Sequence, residues 1–156
     1  MGRSGFACIL AAFALLGSTA FADADQLGTA AQAKAMLGRA IEALKANESD
    51  ALAAFNDKSN EQFHVLDLYV FCINMSDGKF TAQLEPSLIG TDAQALKLKE
   101  DAFGQRIYYT LREAPEGFVV TVAYNALMPG TSSDPVSKVS FVARVGHQGC
   151  GVGYYR

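Results

Sequence analysis

Apolar positions recur along this chain with two periods, and the change of period divides it. From about Thr29 the residues are mostly Ala, Leu, Lys and Glu, all strong helix formers, and Leu37, Ile41 and Leu44 recur at helical spacing. Leu52 and Phe55 extend the stripe past Asn47-Glu48-Ser49-Asp50, where Asn47 or Ser49 can cap a second segment. The pattern predicts a long N-terminal helix from about Thr29 to Asn56, kinked near Asn47. A polar connection, Asn56 to Val65, follows. The period then falls to that of a strand. Asp67 to Asn74 is rich in aromatic and β-branched residues, Asp77-Gly78 supplies a tight two-residue turn, and a return strand runs over about Lys79 to Leu84.

Pro86, Ser87 and Gly90 mark a turn. Thr91 and Gln94 have the spacing of a capping box, and Ala95, Leu96, Phe103, Ile107 and Leu111 give a helical face to about Arg112, interrupted at Gly104. Three strands close the chain. Phe118, Val120, Val122 and Tyr124 alternate with Val119, Thr121, Ala123 and Asn125. Met128 to Pro135 forms a loop. Val139, Phe141, Ala143 and Val145 then alternate with Lys138, Ser140 and Arg144, and Gly146 to Gly149 turns into Cys150 to Tyr155. Helix, two strands, a helical crossover and three strands predict an α+β fold with a five-stranded antiparallel sheet.

The first 22 residues stand outside this pattern. Arg3 is followed by an apolar run, Phe6 to Leu16, and by Ala20-Phe21-Ala22, a small-x-small site. This predicts a secretory signal peptide over residues 1–22, cut before Asp23, and a single domain over 23–156 in the periplasm or medium. The apolar run is short of the roughly 20 residues a membrane anchor needs, so no stable membrane insertion is expected after cleavage. Loss of the leader removes Arg3 and no acidic residue, taking the formal net charge from −3 to −4. A mildly acidic chain without a basic cluster argues against nucleic acid as a partner. Cys72 and Cys150 remain. In an oxidising compartment they are either a disulfide or two buried thiols, and a disulfide would contribute on the order of 3–4 kcal/mol by closing a long loop.

Catalytic and metal chemistry find little support. The two histidines, His64 and His147, share no ligand spacing with each other or with the cysteines. No serine lies in a nucleophile elbow, and no nucleophile, base and orienting group can be assembled. Gly149, Gly151 and Gly153 belong to the last strand and precede no helix, so they form no phosphate loop and instead permit close approach of a neighbour. No catalytic residue, metal or cofactor is expected. A binding site is easier to build: Tyr69, Tyr124, Phe141 and Tyr154 are strand-borne aromatics, and Lys138, Arg144 and Arg112 carry positive charge. The same aromatics would serve equally as core.

The residues from Ala51 to Arg156 resemble the single Cache family of extracytoplasmic, PAS-like sensory modules. The resemblance rests on Ala51 to Asn56, Asp67 to Ile73, Ser76 to Ala82, Leu88 to Asp92, Pro135 to Gly146 and Gly151 to Tyr155, in the family's order. It implies a sheet of strand order 2-1-5-4-3 with the long helix behind it. That order makes the first and last strands neighbours and so favours pairing of Cys72 with Cys150. It also implies small-molecule sensing, of carboxylates, amines or amino acids, between sheet and crossover. Strand positions and resemblance together place Tyr69, Gln83, Tyr124 and Lys138 around the pocket, with Lys138 anchoring a ligand carboxylate. This chain departs from the family at Gln83-Leu84-Glu85-Pro86, where a His-Pro pair is common, and at Tyr124 to Gly130. Ligand identity therefore does not carry over. Family members usually continue into a transmembrane helix and a signalling domain, so here a partner such as a membrane sensor protein is expected to carry the signal. A PAS-like domain with an exposed helix often forms a homodimer. A module that modulates such a sensor without a ligand of its own is the alternative function.

Overall fold

The computed structural model describes residues 27–128 and 134–156. The leader expected over residues 1–22, with Cys8, and positions 129–133 of the Pro- and Gly-rich loop lie outside the described residues.

Helix α1 (Ala30–Ala46) begins at a capping box, in which Thr29 and Gln32 each satisfy the other's backbone N–H. It ends at Asn47, whose extended backbone breaks the helix and whose side chain caps α2 (Glu48–Asn56) by accepting from the Asp50 N–H. The expected kink is thus a full break. Two aromatic rings close this layer, Phe55 meeting Phe63 edge-on at 4.7 Å.

Among the described residues six strands follow: β1 (His64–Val65), β2 (Leu68–Asn74), β3 (Phe80–Ala82), β4 (Val120–Ala126), β5 (Val136–Val145) and β6 (Gln148–Tyr155). All pairings are antiparallel, in the path β1-β2-β6-β5-β4 with β3 also on β2. The five long-range strands therefore follow the implied order. The addition is β1, inside the expected polar connection, which shares the outer edge of β2 with β3.

The return strand is shorter than expected: it ends at Ala82, and the Gln83 and Leu84 N–H groups donate to the side chains of Asn56 and Gln83. Lys79 pairs with Asp92, the Phe80 N–H donates to the Thr91 carbonyl, and the Gly90 N–H donates to the Phe80 carbonyl. The turn before it spans four residues, not two: Asn74 and Lys79 close it, and only Gly78 takes a positive φ, 74°. A bulge between Cys72 and Ile73 leaves Thr81 unopposed and sends Phe80 and Ala82 to opposite faces.

The crossover is less helical than its spacing suggests. Two 3-10 turns, Pro86–Leu88 and Ala93–Ala95, precede helix α3 (Phe103–Glu113). Asp92, not Thr91, caps the second turn, while the Thr91 hydroxyl bonds the Leu88 carbonyl. Gly104 does not interrupt a helix; it lies in the first turn of α3, where a Cβ would sit 2.1 Å from the Ala93 carbonyl. The free edge of β4 is covered from α3, for Arg106 donates to the Ala123 carbonyl (2.7 Å) and pairs with Asp101, which accepts from the Asn125 N–H.

Strand alternation assigns the two sides of the sheet. Leu68, Val70, Cys72, Cys150 and Val152 pack with Met36, Leu37, Ala40 and Phe55 beneath α1 and α2. Cys72 and Cys150 are directly opposed on β2 and β6 and form a disulfide within that layer. Phe71, Ile73, Val122 and Val142 pack instead with Ile107 and Leu111 of α3. Among the described residues no helix is long and apolar enough to cross a membrane.

Candidate functional site

Between the sheet and the crossover lies a cavity of about 520 Å³. Its size falls within the range of small-ligand sites. The sheet supplies its floor through Tyr69, Phe71, Tyr124, Lys138 and Tyr155, and the crossover supplies its roof through Leu88, Leu96, Phe103 and Ile107.

All four residues singled out in the sequence, Tyr69, Gln83, Tyr124 and Lys138, line this one cavity. The glycines of β6 make room for them. Gly149, Gly151 and Gly153 all face the α3 side, and a Cβ on Gly153 would lie 2.7 Å from both Lys138 Cε and Ser140 Oγ. What approaches these glycines closely is chiefly the side chains of neighbouring strands and of Leu111, which the missing Cβ atoms let settle onto the sheet.

Lys138 is almost wholly buried, at 4% exposure, yet among the described residues no carboxylate comes within ion-pairing distance of its ammonium. Its nitrogen instead lies over two aromatic rings, 4.3 Å from the centroid of Tyr155 and 5.3 Å from that of Tyr69. Burial holds its pKa down to about 8, against a smaller opposing pull from the charge of Asp67. At neutral pH it is still mostly an ammonium, and among the described residues it has aromatic faces but no carboxylate to pair with.

The surrounding groups are donors. Burial pushes the Tyr69 hydroxyl well above the ordinary tyrosine range, helped by Tyr124, Tyr155 and Asp67, so it remains protonated. Tyr155 is pushed up to about 12, again mainly by burial, and its hydroxyl donates to the Leu127 carbonyl (2.6 Å). Gln83 accepts from the Leu84 N–H through Oε1, leaving its NH2 group unbonded among the described residues. Tyr124 shares a hydrogen bond with Ser140 (2.9 Å) and stacks on Phe103 at 5.0 Å. Ammonium, phenol and amide donors around an otherwise apolar cavity can bind an anionic oxygen group.

Other candidates lie elsewhere. Phe141 and Tyr154 stack on each other at 5.7 Å on the helix side of the sheet, because alternation turns odd β5 and even β6 positions that way. Arg112 and Arg144 do not line the cavity. His64 contacts the Phe55 carbonyl (2.6 Å) and His147 is exposed at a turn. Among the described residues no three His, Cys, Asp or Glu side chains group as metal ligands do. Tyr155 escaped the sequence reading, although it lies two positions beyond Gly153 and shares its face.

No protein-family model matches the chain, and no curated protein does. Solved structures do resemble it. A methyl-accepting chemotaxis protein from Vibrio parahaemolyticus matches with a TM-score of 0.61 at 17% identity, over 80% of this chain and 86% of that one. A periplasmic sensor domain of a chemotaxis protein matches with 0.55 at 20%, over 77% and 85%. A Cache chemosensory domain, described for its recognition of carboxylic acids, matches with 0.54 at 20%, over 77% and 83%. At such identities the likeness is one of fold, and the fold is Cache-type and PAS-like.

Proposed function

We propose that this chain is an exported, non-enzymatic sensory domain that binds a small carboxylate in the cavity between sheet and crossover. The leader over residues 1–22 would direct export, leaving a domain from Asp23 to Arg156. Lys138 carries the reading: a buried ammonium with no counter-ion among the described residues, in a cavity that Tyr69 and Gln83 also line, is a site that an anion completes. The Cache neighbour that recognises carboxylic acids supports the same class. An interaction module with its pocket filled by side chains is the reading that a solid core beside Tyr69 would have favoured; the open cavity favours a ligand. A membrane sensor protein would receive the signal.

A thermal-shift screen of the mature chain against small carboxylates, amines and amino acids tests the proposal. A ligand at about 100 times its dissociation constant adds roughly 2.7 kcal/mol of stability. Dose-dependent stabilisation by a carboxylate, lost in Lys138→Ala, is the expected result. A carboxylate whose affinity Lys138→Ala leaves unchanged would remove the anchor role. Silence across the panel from a folded protein would turn attention to the interaction module.

A further inference from the structure

The charge in the cavity sits at one end of it. Tyr124, Lys138 and Tyr155 lie in register across β4, β5 and β6, and the lysine stem crosses Gly153, so that its nitrogen lies over the rings of both Tyr155 and Tyr69. From Tyr69 the floor continues along β2 through Phe71 to Ile73, a run of about 13 Å at about 3.3 Å per residue. Phe71 and Ile73 pack with Phe80, Ala93, Leu96 and Ile107 in one apolar cluster, and all six line the cavity. Its remaining polar side chains are Gln83, which is uncharged, and Lys58 and Glu85, which are exposed.

A second charge on a bound molecule would find nothing to receive it. Asp67, whose charge acts on Lys138, is closed off: Oδ1 accepts from the Gly28 N–H, and Oδ2 has less than 1 Å² of accessible surface. The turn that carries Asp67, between the paired Val65 and Leu68, holds Leu66 at a φ of 56°, a left-handed conformation that a leucine rarely adopts. Gly28 seals the other side, so close to Leu68 that a Cβ would fall 2.2 Å from its Cγ. Among the described residues, then, a ligand ammonium has no accessible buried carboxylate to pair with, and a second ligand carboxylate has no second buried cation.

We infer that the ligand is a monocarboxylate with an apolar body, alkyl or aryl, which extends from Lys138 along Tyr69 and Phe71 toward Ile73. The inference rests on the carboxylate reading of Lys138 and narrows it. Propionate has two carbons behind its carboxylate, a reach of about 3 Å with bonds of about 1.5 Å, and would leave the Phe71 and Ile73 end to water. A body of roughly six to nine carbons reaches that end and takes its apolar surface out of water, a gain proportional to the area covered. An amino acid or a dicarboxylate of the same length would bury a charge there without a partner.

Isothermal titration of the purified protein with acetate, propionate, hexanoate, octanoate and 3-phenylpropionate tests this, with suberate and octan-1-ol as controls. Affinity is expected to rise about fourfold per added methylene, so that octanoate binds roughly a hundredfold or more tightly than propionate. The tighter of octanoate and 3-phenylpropionate identifies the body as alkyl or aryl. Suberate, which carries a second carboxylate at the far end of the octanoate chain, should bind at least about tenfold more weakly than octanoate. Leu96→Gln, which places an amide in the apolar cluster, should weaken octanoate about tenfold and leave propionate within about twofold; should this variant fail to fold, the wild-type series decides alone. Affinity that stays flat beyond propionate, suberate as tight as octanoate, or an octanoate affinity that Leu96→Gln leaves unchanged would overturn the inference and leave the carboxylate reading standing. Octan-1-ol as tight as octanoate would overturn the carboxylate reading and this inference with it, as would silence from every compound.

Discussion

The two faces of the sheet are built from the same strands and have opposite characters. Beneath α1 and α2, alternate residues of β2 and β6 are apolar, and Val70, Cys72 and Val152 are fully buried against Met36, Leu37 and Phe55. On the other face the intervening positions of β6 are Gly149, Gly151 and Gly153, and a lysine occupies β5 where the helix face has Val145 and Ala143. One face uses its side-chain volume to hold the fold together. The other gives up volume to hold a space. The contrast predicts that changes beneath α1 lower stability and spare binding, whereas changes beneath α3 weaken binding without lowering stability.

The largest expected effect tests the helix face. Replacing both Cys72 and Cys150 by Ala removes a link between residues 78 apart in sequence. The loss should be on the order of 3–4 kcal/mol, read from urea midpoints of oxidised wild type and variant. Ligand affinity, measured under conditions where the variant is folded, should stay within about twofold because both sulfurs lie on the far side of the sheet. A comparable loss of affinity would show that the two faces are coupled.

On the cavity face the expected sign is opposite. Lys138→Met removes a buried charge and retains much of the lysine's length, so the unliganded protein should gain on the order of 1–2 kcal/mol at neutral pH while carboxylate binding is lost. The pH dependence follows from the depressed pKa of about 8. Between pH 8 and the ordinary lysine value near 10.5, the unfolded chain holds a proton that the folded chain has released. Wild-type stability should therefore rise across that window, and the Lys138→Met variant should lose this rise. Carboxylate affinity should fall above pH 8 as the ammonium is lost. A pH-independent affinity would mean that the anion does not bind at Lys138.

Much of this division was legible in the sequence, because period-two alternation assigns faces without knowledge of the fold. Lys138 and Ser140 stand opposite Val139 and Phe141, and the glycine positions of β6 alternate with Cys150 and Val152. Where several locally plausible hydrogen bonds compete, sequence says less. Thr91-x-x-Gln94 has the form of a cap, yet Asp92 caps the turn because Thr91 is already bonded to Leu88 and its carbonyl serves Phe80. Asp67 was hidden for a further reason. Its placement depends on a two-residue strand too short to leave a periodic signal, on a left-handed leucine, and on Gly28, 39 residues away. Tyr155 was hidden only by choosing Tyr154, and following the glycine face one step further would have reached it.

The smallest expected effect sharpens the comparison at its mildest point. Asn47 joins α1 to α2: its N–H donates to the Ala43 carbonyl and its side chain accepts from the Asp50 N–H at 3.2 Å. Asn47→Ala keeps the first bond and loses the second, and alanine, unlike asparagine, has no side-chain acceptor to hold the break between the helices. The cost should be about 1 kcal/mol, seen as a small fall in melting temperature. The cap bond itself is solvent-exposed and belongs to the helix layer, away from Lys138 and Tyr69 across the sheet. Affinity should therefore be unchanged even though α2 also reaches the cavity strand, through Asn56, which bonds both the Thr81 carbonyl and the Gln83 N–H. If so mild a change at Asn47 altered binding, the routes would be the bonds of α2 to the sheet, from Asn56 and from Glu48, which accepts from Gln148 Nε2 (2.9 Å), and α2 would have to be counted with the cavity face.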